Sequence, residues 1–201
     1  MPRPKSDTRQ RILHAAMHLF WENGYAATGI AELLKKANAN SGSFYYFFDG
    51  KEDLLGAVLD EYLDNLDPVI VQPVFRVTPD PLERIFGILA GYRAKLLDTD
   101  CTYGCPIGRL ALEIDPADKG TFKKISSNLA AWVDVIARLL EDVQDQLPGG
   151  TNLHELAQFV LVTMEGGVML SRSHRSIEPF DAAVRQLGNY FALLLEREAE
   201  P

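Results

Sequence analysis

Two cysteines, two tryptophans and four methionines are the whole supply of these residues in a chain of 201. With so few thiols, and no apolar stretch of signal-peptide kind after Met1-Pro2-Arg3-Pro4-Lys5, the expected compartment is the reducing cytoplasm. No apolar run is long enough to span a bilayer, so no membrane partner is expected. The cysteines and the four histidines nowhere fall at zinc-site spacing, and neither metal nor cofactor is expected. Strand-like alternation, internal repeats and low-complexity segments are also missing, which leaves helical periods throughout. At 47% hydrophobic the chain can bury a real core, as one domain or two small ones.

Positive charge is scarce overall, with a formal net charge of −8, but it is not scarce everywhere. Residues 1–51 carry seven basic side chains (Arg3, Lys5, Arg9, Arg11, Lys35, Lys36, Lys51) against four acidic ones, a balance of +3 that leaves −11 for the other 150 residues. A basic head on an acidic body concentrates attraction for a polyanion at one end and repels it from the other.

The apolar periods define nine helical segments in an all-α fold. The expected helices run from Thr8 to Asn23, Gly29 to Lys36, Ser43 to Phe48, Lys51 to Leu66, Pro81 to Leu97, Pro106 to Glu113, Asp115 to Gln146, Asn152 to Arg172 and Pro179 to Glu198. Pro68, Pro73, Pro79 and Pro81 bracket an expected loop. Residues 1–50 read as a three-helix head and residues 51–201 as a separate helical body.

Within the head, the stretch from Thr28 to Lys51 has the layout of a helix-turn-helix. Thr28 is placed to cap the first helix, which has Ile30, Leu33 and Leu34 on one face. Asn38-Ala39-Asn40 forms the turn, and Asn40 can cap the second helix. Gly24 stops the preceding helix as a C-cap would. The spaced set Thr28, Gly42, Tyr45, Phe48 and Lys51, together with Phe20-Trp21-Glu22-Asn23-Gly24-Tyr25, resembles the DNA-binding domain of TetR-type transcriptional regulators over about the first quarter of the chain.

That resemblance implies a dimeric, one-component regulator that binds a palindromic double-stranded operator as a repressor and is released by a small-molecule effector. Expected phosphate contacts are Lys51, the Tyr45 hydroxyl, and Thr28 with the Gly29 backbone N–H. Base edges fall to Ser41, Gly42, Ser43 and Tyr46, beside the capping Asn40. Tyr46 reads equally well as a half-buried packing residue, whereas Phe44, Phe47 and Phe48 should face the head's core. Arg3 and Lys5 could reach a neighbouring groove or phosphate. Many members of the family carry Lys where this chain has Ser41, a departure that bars borrowing an operator sequence from relatives. The dimer seam is expected on the last two helices, with Gly166-Gly167 allowing close approach.

In the body, Gly104-Cys105-Pro106-Ile107-Gly108-Arg109-Leu110-Ala111-Leu112-Glu113 resembles a motif in a TetR branch that includes NemR-like sensors of electrophiles and AcuR-like sensors of acrylate. Cys105 precedes a helix start, where a thiol's pKa is lowered; Arg109 could add to this, making Cys105 a redox or electrophile sensor. The alternative is an inert cysteine packed at a loop-to-helix junction. Candidate ligand-lining residues are Tyr92, Leu96, Cys105, Leu110, Trp132, Ile136, Met164, Glu165 and Met169. Glu165 stands in an apolar run and needs a partner, with Arg93, Arg172, a ligand or the dimer seam as choices. No enzyme is expected. The rival readings are a small helical enzyme with Cys105 as nucleophile, for which no His lies nearby in sequence, and a protein-interaction module without DNA affinity.

Overall fold

The computed structural model describes residues 5–198, with side chains from 7 to 195, and all of the secondary structure among them is helical. The elements are α1 (Lys5–Asn23), α2 (Ile30–Ala37), α3 (Ser41–Phe47), α4 (Lys51–Asn65), a π-helical run (Leu66–Val71), α5 (Gln72–Phe75), α6 (Pro81–Asp98), α7 (Pro106–Glu113), α8 (Lys119–Glu141), a 3-10 turn (Gln144–Gln146), α9 (Leu153–His174) and α10 (Glu178–Glu198). The nine expected helices are present, α5 being a four-residue addition. The expected contacts from Arg3 and the Lys5 side chain lie outside the described residues.

Two of the expected boundaries are corrected. The loop expected around Pro68 and Pro73 is helical from Leu66 to Phe75. Pro68 has no N–H to donate, and the ladder passes it by widening to π geometry, while Pro73 sits in the first turn of α5, where its missing N–H costs nothing. The long helix expected from Asp115 starts only at Lys119. Asp115 is instead spent on a turn, accepting from the Ala117 N–H at 2.9 Å, and Asp118 accepts from the Thr121 N–H at 3.0 Å. The hydrogen bonds from Thr121 hold the Asp118 carboxyl below its ordinary pKa.

The chain divides into two compact units. One comprises residues up to Asp64 together with Cys105–Asn128, and the other Asn65–Gly104 with the residues from Leu129 onward. The first unit is thus larger than the head expected at residues 1–50. Its core is built on α1, whose Ile12, Leu13, Ala16, Leu19 and Phe20 are buried with Leu33 of α2, Phe44 of α3 and Leu54, Leu55, Val58 and Leu59 of α4. Polar ties add to this. The Tyr62 hydroxyl of α4 donates to the Met17 carbonyl of α1, Lys124 of α8 pairs with Asp60, and Asn128 Nδ2 donates to the Leu59 carbonyl at 3.0 Å.

In the second unit α9 packs against α10. A Cβ on Gly167 would stand 3.1 Å from Phe180 Cδ2 and 3.3 Å from its Cα. The close approach expected of this glycine therefore occurs within the protomer, whereas a Cβ on Gly166 would meet nothing within 4 Å. Gly167→Leu is expected to lower stability by about 1–3 kcal/mol through overpacking, read as a lower urea midpoint. Of the residues expected to line the last two helices at the dimer seam, Leu156, Val160, Leu187 and Phe191 are buried in the protomer, while Phe159, Leu170 and Tyr190 are exposed. Val162, Met169 and Leu193, not among those expected, are exposed beside them in sequence.

Candidate nucleic-acid interface

The head presents a short helix behind a tightly built turn. Asn38 closes α2 in the left-handed conformation (φ 48°), a geometry that Asn tolerates, and Asn40 starts α3 by accepting from the Ser43 N–H at 2.8 Å. Phe44 and Phe48 face the core, their rings 5.8 Å apart, with Phe47 at the margin. That anchoring aims the opposite side of α3 outward: Ser41 and Gly42 are exposed, Tyr45 is 60% exposed and Tyr46 65%. For Tyr46 this settles the choice between packing and exposure in favour of exposure.

Gly42 needs no glycine for the fold's sake. An added Cβ would meet only Asn40 Oδ1, at 3.4 Å. Gly29 is open as well, with nothing within 4 Å.

Thr28 departs from its expected role. The residue is 1% exposed, and its hydroxyl donates inward to the Gly24 carbonyl at 2.7 Å and the Leu19 carbonyl at 3.2 Å. The cap of α2 is Gly29, which provides no side-chain bond. Thr28 therefore ties the turn to the end of α1, and its hydroxyl is not presented to a phosphate.

Lys51 is held rather than waving. Its Nζ lies 4.4 Å from the centroid of the Tyr25 ring and donates to the Ala26 carbonyl at 3.4 Å. Partial burial pulls its pKa below the ordinary lysine value, and the Glu113 carboxylate pushes it back up. Of the other head cations, Lys36 is paired with Glu22 at 3.2 Å, and Arg9 stacks 5.4 Å from the Phe48 centroid.

Reasoning along the sequence misses one group entirely. Glu113 Oε2 accepts from the N–H of Tyr25 at 2.7 Å and of Ala26 at 3.3 Å. Arg109 Nε donates to Glu113 Oε1 at 2.6 Å, and its Nη1 donates to the Trp21 and Glu22 carbonyls at 3.2 and 3.1 Å. The Arg109 charge, expected beside Cys105, is thus engaged with Glu113 and the end of α1. The one sequence-level hint is the i, i+4 spacing of Arg109 and Glu113.

Cys105 itself is buried and caps α7, its Sγ accepting from the Gly108 N–H at 3.3 Å. Cys101 is buried too, in the left-handed conformation (φ 52°), and burial followed by the nearby Asp100 pushes its thiol pKa up. Of the expected ligand-lining residues, Cys105 and Leu110 belong to the first unit and are buried there. In the second unit Leu96, Trp132, Ile136 and Met164 are buried, and the Tyr92 and Trp132 rings meet edge-on at 5.5 Å. Met169 is corrected: it is 61% exposed and lies off the buried side of α9. Arg93, offered as a partner for Glu165, makes a two-point pair with Asp181 at 2.7 and 2.9 Å. Arg172, the other candidate, donates to the Thr102 carbonyl at 3.3 Å.

Among the described residues no cluster of His, Cys, Asp and Glu suited to a metal occurs, and no helix is long and apolar enough to cross a membrane.

Comparison with known proteins agrees with this geometry. Residues 12–58 match the family model for bacterial regulatory proteins of the tetR family, and residues 81–186 match the C-terminal domain of LmrA/YxaF-like transcriptional regulators. An HTH-type transcriptional regulator of Mycobacterium tuberculosis is 31% identical over 187 residues, covering 90% of this chain and 92% of the relative. The HTH-type transcriptional repressor DhaR of a Mycobacterium species is 25% identical, covering 88% of each chain. The structure of the regulator CifR, a cysteine mutant complexed with 26-base-pair double-strand operator DNA, superposes with a TM-score of 0.77 at 22% identity, covering 93% of this chain and 97% of that one.

Proposed function

Because the chain belongs to the TetR family of bacterial transcriptional regulators, we propose that it acts as a homodimeric repressor, released by a small-molecule effector, whose head (1–50) reads a palindromic operator and whose body (51–201) dimerises and binds that effector. The observation that carries this is the outward side of α3. Ser41, Gly42, Tyr45 and Tyr46 lie exposed on a helix whose other side is pinned by Phe44 and Phe48, so the element that would enter a major groove is rigid and its groove-facing residues are small or amphipathic. Lys51 and the Tyr45 hydroxyl flank it as phosphate contacts.

The exposed apolar residues of α9 and α10 supply the reason for a dimer. Phe159, Val162, Leu170, Tyr190 and Leu193 form a surface that a monomer would leave in water, and a twofold pairing buries it against its own copy. Two heads on a twofold axis then match two half-sites. Tyr92, Leu96, Trp132, Ile136 and Met164 are the second-unit residues proposed to meet the effector, which would shift the population away from the head spacing that fits the operator. The capping role of Cys105 supports the structural reading of that thiol over the sensing one.

Selection of binding sites from random duplex DNA tests the proposal. A palindrome should be recovered. Lys51→Ala should weaken binding to every sequence alike and reduce the slope of log affinity against log salt by about 1 per protomer. Failure to enrich any sequence at low salt would overturn the repressor reading.

A further inference from the structure

A helix ends with carbonyls that lack intrahelical partners and a negative dipole end, and the turn that follows exposes N–H groups. At the end of α1 both kinds of group are met by one pair of side chains on α7. The Arg109 guanidinium takes the Trp21 and Glu22 carbonyls, and the Glu113 carboxylate takes the Tyr25 and Ala26 N–H groups. The pair stands one helical turn apart and is joined by its own 2.6 Å bond, so it reaches α1 already organised.

Gly24 leaves room for it. This residue has φ +90°, and a Cβ there would lie 2.6 Å from Arg109 Nη2 and closer still to Glu113 Oε1.

The residues whose amides Glu113 holds are the residues on which Lys51 rests: the ring of Tyr25 and the carbonyl of Ala26. The same corner leads into α2, because the Thr28 N–H donates to the Tyr25 carbonyl and the Thr28 hydroxyl to that of Gly24.

We propose that Arg109 and Glu113 are positioning residues for DNA binding: from α7 they hold the Tyr25–Ala26 corner, and through it place the Lys51 ammonium where it grips a phosphate. The proposal rests on the operator-binding reading above. Neither side chain touches DNA; each acts through the corner. The alternative, that the pair merely adds stability to the first unit, makes different predictions.

The test uses the full-length chain and the palindrome recovered by selection. Glu113→Ala, Arg109→Gln, Lys51→Ala and the double variant Glu113→Ala/Lys51→Ala are compared by DNA-binding anisotropy across a salt series, by urea unfolding, and by amide hydrogen exchange at Tyr25 and Ala26. Glu113→Ala is expected to raise exchange at those two amides and to lower operator affinity by about 10-fold or more. It should also lower the salt slope by about 1 per protomer, as loss of a lysine–phosphate contact does. In the double variant affinity should fall little below that of Lys51→Ala alone, since both changes remove one interaction. A salt slope unchanged by Glu113→Ala, or losses that simply multiply in the double variant, would overturn the proposal in favour of a purely stabilising pair. Arg109→Gln should follow Glu113→Ala in direction, and wild-type affinity in both would also overturn it. If the wild-type chain binds no selected duplex, the repressor reading falls first, before any variant is made. Exchange at Tyr25 and Ala26 still reports whether the pair holds the corner.

Discussion

Gly42→Leu leaves the protein folded and lowers operator affinity by on the order of 100-fold, taking a well-made base contact as about 1–3 kcal/mol. The two halves of this expectation come from different neighbours. Inside the protein a Cβ at Gly42 meets one side-chain oxygen at 3.4 Å and nothing else, and replacing Gly by Leu in a helix gains up to about 1 kcal/mol of propensity. Thermal unfolding should therefore move little, or slightly upward. On the outer side Gly42 lies in the first turn of α3, between Ser41 and Ser43, the part of a recognition helix that approaches base edges most closely. A leucine there holds the helix off the groove floor and lengthens the contacts of its neighbours together. Equal affinities of the variant and the wild-type protein for the selected palindrome would show that α3 does not dock by its N-terminal turn.

The second large effect is on α9 and α10. Val162→Asp with Leu193→Asp is expected to convert the dimer to a folded monomer and to weaken binding to the full palindrome by about 10²–10⁴-fold, because the second head is no longer delivered at high effective concentration. Both residues are more than 60% exposed in the protomer (67% and 61%), so the exchange buries no charge within it. In a paired face the same carboxylates would be desolvated without partners, which disfavours association strongly. Sedimentation should report the smaller species, circular dichroism an unchanged helix content, and a single half-site should be bound as well as before. A variant that remained dimeric would move the interface away from α9 and α10.

What could be read along the chain follows the range of the interaction involved. Helix periods are local, and the spans expected for α2, α4, α6, α7, α9 and α10 end within two residues of those observed. Asn40 was legible as a cap for the same reason, since its partner is three residues away. Thr28 misled because a threonine before a helix looks alike whether its hydroxyl caps the helix or turns inward to Gly24 and Leu19. The π-helical run was hidden because prolines mark a break in the regular ladder without saying whether the chain leaves the helix or widens it. Gly166-Gly167 could be recognised as a site of close approach, but not as one whose neighbour is the protomer's own α10. Least legible was the Arg109–Glu113 pair, whose partners lie 87 and 88 residues away, where no period or spacing reports them.

That separation sets an order of events during synthesis. At about 5–20 residues per second, Glu113 leaves the ribosome roughly 4–18 s after Tyr25, a partner 88 positions upstream. Through that interval the Tyr25 and Ala26 N–H groups are without the carboxylate that accepts from them in the folded chain. A fragment cut at residue 50, the natural choice for an isolated reader of DNA, would be frozen at that stage. It would lack α4, α7 and the start of α8, and with them the closing contacts of its own unit. In the folded chain the compact unit that contains the head is therefore discontinuous, joining the residues up to Asp64 with Cys105–Asn128.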